Sequence, residues 1–339
     1  VTFKDTTDGL RIYKCKSASL NSVTVDNTKK FNGIYIQGGS ATINNTTVKK
    51  SYYIGISMDN KADVTISGST VTDNGKRPDN SDSRAAGIGV YKGAKLTITD
   101  STISKNKKGC GIAANGSKGK VVTVTVKGCT INNNGDHGIG GRPYAKITVD
   151  KSSTKRSTFK GNKYYGVMFH TNCSGSVKNS DFSKNDGGID VNESSKVSKI
   201  TNCKFDANKT EGILVYVKSS VGTIEKCTFK NHKKGAAIIV GSGATVKAIK
   251  NNTFQKNKVN IRVDPGGKLK KQSKNKVKKY SLSNFRDKTR NMSIFRHSRT
   301  LFKGKKTQFN IERKDHIILK HSSRSEERRV GKECRSRWS

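Results

Sequence analysis

A short element of the type Gly-Ile-x-Val recurs through most of the chain at intervals of 22 to 32 residues. Its copies start at Gly9, Gly33, Gly55, Gly87, Gly111, Gly138, Gly166, Gly188, Gly212, Ala237 and Asn260. The shortest intervals give the length of one bare unit, and the longer ones indicate loops inserted into a unit. Self-similarity at such a period is typical of a solenoid, in which each unit is stable only against its neighbours.

A second element follows each copy of the first and consists of two apolar residues five positions apart. The pairs are Leu20 and Val25, Ile43 and Val48, Ile66 and Val71, Ile98 and Ile103, Val126 and Ile131, Val177 and Phe182, Ile200 and Phe205, Ile224 and Phe229, and Ile249 and Phe254; an insertion separates Val149 from Phe159. Three residues after the second apolar position stand Asn74, Asn106, Asn134, Asn162, Asn185, Asn208 and Asn257, with His232 in one unit.

These two elements predict short strands that turn one face inward, separated by sharp corners where Gly and Asn are favoured. Stacking of the units would place equivalent residues in columns. The asparagines would then bond from coil to coil, and Phe159, Phe182, Phe205, Phe229 and Phe254 would form an internal aromatic stack. We therefore predict an all-β fold for residues 1–267, a single-stranded parallel β-helix of about eleven coils.

The pattern from Gly9 to Asp264 resembles the right-handed parallel β-helix repeat family, whose best-known members share the pectin-lyase-like fold. The resemblance implies a right-handed solenoid. It does not select an activity, because the same scaffold carries lyases, hydrolases, epimerases, phage tailspikes and adhesins.

Basic side chains dominate the charge of the chain, which is formally +42. Such a balance favours a polyanionic partner, and we expect an acidic polysaccharide or a cell-wall polymer. Residues 268–323 carry 18 basic and 3 acidic side chains and are predicted to be a poorly ordered basic tail. The segment could be a basic cap or a cell-wall-associating tail, the product of a shifted reading frame, or an arm that binds nucleic acid. Nucleic acid is the less favoured partner, since the aromatic residues there have no regular spacing. Residues 324–339 resemble a translated sequencing adapter and are predicted to be an artefact.

The cysteines have no spacing typical of a metal site, and the longest insertion offers only oxygen ligands. Cys129, Cys203 and Cys227 are predicted to face inward as free thiols, although Cys203 and Cys227 are close enough for a disulfide to be conceivable. The insertion over residues 73–86 offers Asp79, Asn80 and Asp82 as Ca²⁺ ligands, but it lacks the glycine and spacing of a calcium loop. We predict a solvated loop, no metal site and no cofactor.

The residues of the first element that face outward form a polar and aromatic strip along the solenoid. Its main column reads Tyr13, Gln37, Asp59, Tyr91, Asn115, Arg142, His170, Asn192, Tyr216, Gly241 and Asp264. Tyr91, Asn115, Asn192 and Tyr216 are the predicted substrate-binding residues. For an enzyme that acts on a uronate polymer, Arg142 would neutralise the substrate carboxylate, His170 would be the base and Asp190 its orienting partner.

Taken together, these features predict a bacterial protein, secreted or displayed at the cell surface, that binds polysaccharide along its outer face. The alternative is a carbohydrate-active enzyme, a uronate polysaccharide lyase or an epimerase. No apolar stretch is long enough to span a membrane. The chain opens at Val1 without a visible signal peptide, and we expect it to be a fragment that lacks its N-terminal part.

Overall fold

The computed structural model describes residues 1–76 and 85–278, and every regular element in these ranges is a β-strand. Successive strands wind around a common axis, and each coil contributes one strand to each of three parallel sheets. The right-handed parallel β-helix of about eleven coils predicted from the repeat is therefore confirmed.

The thirty-five strands are short, mostly three to six residues. The first twelve are β1 (Thr2–Lys4), β2 (Leu10–Tyr13), β3 (Ala18–Asn21), β4 (Thr24–Asp26), β5 (Ile34–Gln37), β6 (Ser40–Asn44), β7 (Thr47–Lys49), β8 (Ile54–Asp59), β9 (Asp63–Ser67), β10 (Thr70–Thr72), β11 (Ala86–Tyr91) and β12 (Lys95–Thr99). The next twelve are β13 (Thr102–Ser104), β14 (Cys110–Asn115), β15 (Val122–Lys127), β16 (Thr130–Asn132), β17 (Ile139–Gly141), β18 (Ala145–Asp150), β19 (Ser157–Lys160), β20 (Tyr165–Phe169), β21 (Ser174–Lys178), β22 (Ser180–Ser183), β23 (Gly187–Val191) and β24 (Lys196–Thr201). The last eleven are β25 (Lys204–Asp206), β26 (Ile213–Val215), β27 (Ser220–Glu225), β28 (Thr228–Lys230), β29 (Ala236–Val240), β30 (Thr245–Lys250), β31 (Thr253–Gln255), β32 (Val259–Val263), β33 (Lys268–Leu269), β34 (Gln272–Ser273) and β35 (Lys276–Lys278).

The three sheets take every third strand, so that neighbours in a sheet are one coil apart in sequence. Sheet 1 begins with β1 and has twelve strands, in the order β1-β4-β7-β10-β13-β16-β19-β22-β25-β28-β31-β35. Sheet 2 begins with β2 and has eleven, in the order β2-β5-β8-β11-β14-β17-β20-β23-β26-β29-β32. Sheet 3 begins with β3 and has twelve, ending β27-β30-β33, with β34 also paired to β30. The Gly-Ile-x-Val element forms the strands of sheet 2.

Columns of apolar side chains fill the interior. In sheet 1 the five predicted phenylalanines pair in register and are at most 1% exposed. Their rings lie nearly parallel, and the distances between successive ring centroids are 4.8, 5.0, 4.8 and 5.2 Å. The predicted aromatic stack is confirmed, and its spacing is that of neighbouring strands.

A buried ladder of asparagines follows sheet 1 and runs from Asn74 through Asn106, Asn134, Asn162 and Asn185 to Asn208. Each Nδ2 donates to the Oδ1 of the next member at 2.9 to 3.2 Å. Each Nδ2 also donates to a strand carbonyl of an earlier coil, as Asn162 does to Ile131 O at 3.0 Å. The ladder supplies partners to backbone groups that the corner leaves unpaired.

A column of small side chains lies at the corner between sheet 3 and sheet 1. It contains Ser69, Ser101, Cys129, Ser157, Ser180, Cys203 and Cys227, all at most 2% exposed, so the three cysteines face inward as predicted. All six cysteines among the described residues are free thiols, and five of them are buried. Burial raises the pKa of the Cys203 thiol well above its usual range, which disfavours the reactive thiolate.

Strand pairing continues past residue 267, where the repeat predicted that the solenoid ends and a basic tail begins. β33, β34 and β35 pair in parallel with the preceding coil, and Val277 lies in register with Phe254. The expected loss of coil register at 268 is therefore wrong as far as Lys278. The repeat is hard to recognise there because most residues are exposed and few are apolar. Asn275 nevertheless occupies a ladder-like position and accepts a hydrogen bond from Asn252 Nδ2.

Several predictions lie outside the described residues. They are the proposed Ca²⁺ ligands Asp79, Asn80 and Asp82, the remainder of the basic segment from 279 to 323, and the adapter-like residues 324–339. Within the described part of the chain, no helix is long and apolar enough to cross a membrane.

Candidate functional site: the outer face of sheet 2

Three columns of side chains face outward from sheet 2. The main column of the predicted strip, here called the outer strip, is in register along the solenoid, as the pairs Tyr13–Gln37, Gln37–Asp59 and Tyr91–Asn115 show. The second column contains the x residue of each element, and Asp190 lies in it between Met168 and Leu214. The third column consists of the residues that directly precede each glycine.

Glycine begins each element because its position faces the interior. At Gly166 a Cβ atom would come within 2.5 Å of the Phe182 ring, and at Gly87 within 2.6 Å of the ladder amide of Asn106. The glycine and the apolar residue after it thus both face inward, which breaks the alternation of the strand. The residue before the glycine consequently faces outward.

The structure places Arg142, His170 and Asn192 side by side in the outer strip, on three successive coils. The backbone bonds His170 N–H to Gly141 O (3.0 Å) and Asn192 N–H to Phe169 O (2.8 Å) fix this order. Asp190 lies one column away, on the same strand as Val191. The three residues predicted for catalysis therefore come from adjacent coils of one surface.

The carboxylate that faces His170 is Glu193. Its Oε2 lies 3.3 Å from His170 Nδ1 and accepts a hydrogen bond of 2.6 Å from Thr171 Oγ1. Thr171 Oγ1 is also 3.0 Å from His170 Nδ1. Glu193 and Thr171 thus contact the ring on its Nδ1 side, where Asp190 was the predicted partner.

Asp190 is only 5% exposed, and its Oδ1 is buried without a hydrogen-bond partner. Burial raises the pKa of the Asp190 carboxyl to about 7, with smaller contributions from the carboxylates of Glu211 and Glu193. A carboxyl group with such a pKa exchanges its proton near neutral pH.

Arg142 lies near Asp136, which in turn contacts His137, a second histidine and a member of the third column. Arg142 Nη2 lies 3.8 Å from Asp136 Oδ2, and His137 Nε2 lies 3.2 Å from Asp136 Oδ1. His137 Nδ1 accepts the backbone N–H of Tyr165 at 3.2 Å. Burial lowers the pKa of His137 to about 4, so its imidazole is uncharged at neutral pH.

Tyr165 and Glu211 complete the third column near Asp190. The Tyr165 hydroxyl donates to Glu211 Oε1 at 2.6 Å, and the Tyr165 ring stacks on His137 at 5.9 Å between centroids. Burial and the nearby carboxylate of Glu211 raise the pKa of Tyr165. Simple strand alternation missed His137, Tyr165 and Glu211, whereas their position directly before a repeat glycine is the signal that finds them.

The four predicted substrate-binding residues all lie in the outer strip. Asn115 is exposed, and Tyr216 is 39% exposed with its ring lying across Gly241 of the next coil. Tyr91 lies over Gly89, where a Cβ atom would come within 2.5 Å of the ring, and Asn192 Oδ1 accepts the backbone N–H of Glu193. Each tyrosine ring therefore lies against the backbone of a glycine, Gly241 for Tyr216 and Gly89 for Tyr91.

No group of three or more His, Cys, Asp or Glu side chains in the described ranges is arranged to hold a metal ion.

A family model described as a right-handed beta helix region matches residues 8–140 and 86–254. The chain belongs to the right-handed β-helix family. Among solved structures this β-helix is similar to the A-module of mannuronan C-5 epimerase AlgE4 from Azotobacter vinelandii, at 11% identity and a TM-score of 0.43, over 83% of this chain and 79% of that one. It is also similar to the Streptococcus pneumoniae surface protein and adhesin PfbA, at 11% identity and a TM-score of 0.35, over 77% of each chain. No curated protein matches this β-helix, and both structural likenesses are too distant to carry an argument about function.

Proposed function

We propose that this β-helix binds a linear acidic polysaccharide along the outer face of sheet 2, and that it does so outside a bacterial cell or on its surface. The observation that carries the proposal is the register of the outer strip. One aromatic, amide or charged side chain from each of several successive coils lies on one line, at the spacing of neighbouring strands. A surface that repeats along an axis suits a ligand that repeats along its own.

The side chains of the strip have the chemistry that a sugar polymer requires. Tyr216 offers an exposed ring face, and Asn115 offers an amide with donors and acceptors for hydroxyl groups. The excess of basic residues favours a polymer that carries negative charge.

Replacement of Tyr216 by alanine should weaken the binding of the full chain to polygalacturonate or alginate about tenfold, since aromatic anchors dominate such contacts. Isothermal titration calorimetry with defined oligomers would measure the change. Val121→Ala, at an exposed apolar residue just before sheet 3, is the matched control and should bind like the unsubstituted protein. Equal affinities for Tyr216→Ala and the unsubstituted chain would contradict the proposal.

Turnover of the bound polymer, by a uronate lyase or an epimerase, is the second candidate function. The observation that favours it is the buried, unpartnered Asp190 carboxyl on the same surface as His170 and Arg142. Groups that exchange protons near neutral pH cluster at catalytic sites.

The arrangement suits removal of the proton next to a substrate carboxylate. His170, held by Glu193, would take this proton while Arg142 neutralises the charge that develops on the carboxylate. In a lyase the bond to the C4 oxygen then breaks, and the leaving oxygen takes a proton from the Asp190 carboxyl. In an epimerase the Asp190 carboxyl would instead donate its proton to the same carbon on the opposite face, and no bond of the polymer chain breaks.

For this candidate we expect His170→Ala to abolish product formation while leaving polymer binding within about twofold, because a base acts mainly in the transition state. Absorbance of the unsaturated lyase product and proton NMR of the epimerised polymer separate the two reactions. If no uronate polymer gives either product with the unsubstituted protein, the enzyme candidate is wrong and the binding proposal stands.

A further inference from the structure

The geometry points to a second set of contacts for the same polymer, a row of five lysines along the edge between sheet 1 and sheet 2. We propose that these ammonium groups bind the carboxylates of a polyuronate, one group for each sugar that faces them. The inference rests on the proposed function, which it deepens by naming the repeating anionic unit and the residues that bind it.

The lysine row consists of lysines that directly follow the inward-facing Asn or His side chains of the corner after sheet 1. Its members are Lys107, Lys163, Lys209, Lys233 and Lys258, and all five are exposed. They follow Asn106, Asn162, Asn208, His232 and Asn257 in sequence. The row therefore keeps the coil-to-coil order of this corner, which holds the asparagine ladder and, after it, His232 and Asn257.

Backbone hydrogen bonds hold the row in place. The N–H of Lys163 donates to Asn134 O at 3.1 Å, that of Lys209 to Asn185 O at 2.9 Å, and that of Lys258 to His232 O at 2.8 Å. Of the corner side chains beneath, Asn106, Asn162, Asn208 and His232 are buried and Asn257 is partly buried, and all five are hydrogen-bonded. The lysine stems thus start from a rigid line, which lowers the entropy lost when their ends meet a ligand.

The five ammonium groups are free of carboxylate partners. None of them forms an ion pair with a described residue, and none has a contact that is left unnamed. Lysines on the other faces are often paired, as Lys95 is with Asp63 and as Lys199 and Lys250 are with Glu225. The one further contact in the row is Lys163, whose Nζ lies 5.2 Å from the centre of the Tyr164 ring.

The phenylalanine stack gives the spacing of the row, because the coils from Lys163 to Lys258 are those of Phe159 to Phe254. The four ring-to-ring steps place Lys163 and Lys258 about 20 Å apart along the axis. Lys209, Lys233 and Lys258 occupy successive coils. Between Lys163 and Lys209 the row position holds Asp186, and between Lys107 and Lys163 it holds Gly135.

This pattern favours a chain whose negative charges recur at about one coil spacing or its double. An extended polyuronate advances by about one sugar for each coil step and carries one carboxylate on every sugar. The phosphates of a B-DNA strand recur at about 3.4 Å, out of step with the row. Third-column residues His137, Tyr165 and Glu211 lie beside the row, so a polymer held by the lysines would run over the face of sheet 2.

The test compares two triple variants of the full chain that remove the same charge. The row variant changes Lys163, Lys209 and Lys233 to glutamine. The control variant, called the sheet 3 variant, changes the exposed sheet 3 residues Lys127, Lys146 and Lys196 to glutamine. The basic residues after 267 are common to both. Affinity for a polygalacturonate oligomer is measured as a function of salt, with thermal midpoints to verify folding.

We expect the row variant to bind roughly 10- to 100-fold more weakly, with a shallower salt dependence by about three counterions, and the sheet 3 variant to change less than threefold. Equal losses in both variants would overturn the inference, and so would duplex DNA bound as tightly as polygalacturonate with the same dependence on the row. If the row variant binds as tightly as the unsubstituted chain while Tyr216→Ala binds weakly, the lysine row is not a binding site and the proposed function stands. Absence of binding by the unsubstituted chain would overturn both.

Discussion

Replacement of Phe205 by alanine should lower the free energy of unfolding by about 3 to 5 kcal/mol, the usual cost of truncating a buried aromatic side chain. Phe205 is fully buried and stacks on Phe182 at 5.0 Å and on Phe229 at 4.8 Å. Two ring contacts are therefore lost together with the buried area, and each contact contributes about 0.5 to 1.5 kcal/mol of its own. Urea unfolding followed by far-ultraviolet circular dichroism would measure the change.

The matched control for this prediction is Phe31→Ala. Phe31 is 43% exposed and lies outside the stack, at the corner before sheet 2. Its truncation should change the free energy of unfolding by less than about 1 kcal/mol. A loss of the same size in both variants would mean that the stack contributes nothing beyond general apolar contact.

The second large effect is expected from Asn162→Asp, which changes one donor of the ladder into an acceptor. Asn162 Nδ2 donates at 3.0 Å both to Ile131 O and to Asn185 Oδ1. A carboxylate there would face two acceptors in a buried site. We expect a loss of about 3 to 5 kcal/mol in the free energy of unfolding at pH 7, the range found when a buried charge lacks a partner.

The loss caused by Asn162→Asp should depend on pH. Burial raises the pKa of the new carboxyl in the folded state above its unfolded value, so the folded state is favoured at low pH and loses stability as pH rises through the raised pKa. The variant should therefore recover part of its stability between pH 7 and pH 4. Asn21→Asp, on the exposed outer side of β3, should show neither the loss nor this recovery. A pH-independent loss at Asn162 would contradict the account.

The interior could be predicted from the sequence because each coil has apolar residues at the same spacing. Phe182, Phe205 and Phe229 follow an apolar partner by five residues, and that spacing spans one corner of the coil whatever the loops elsewhere do. The coil after residue 267 was not predicted, because most of its residues are exposed lysines and few of its positions are apolar. Only pairing with β30 and β31 shows that this segment is part of the solenoid.

The candidate site could be predicted only in part. The outer strip follows from strand alternation, so Arg142, His170 and Asn192 are found by counting. The third column does not follow, because Gly138, Gly166 and Gly212 place two successive residues inward and reverse the alternation before them. Contacts such as Tyr165 with Glu211 join residues 46 positions apart and depend on how side chains lean over neighbouring coils, which the repeat does not encode.

The asparagine ladder has a consequence for how such a protein can change in size. Each rung bonds only to groups of the neighbouring coils, and each coil adds one position to the outer strip. Duplication of one unit of 22 residues would lengthen the solenoid by one coil and the outer strip by one position, and the other coils would need no change. The number of coils would then determine the length of polymer that the surface binds best.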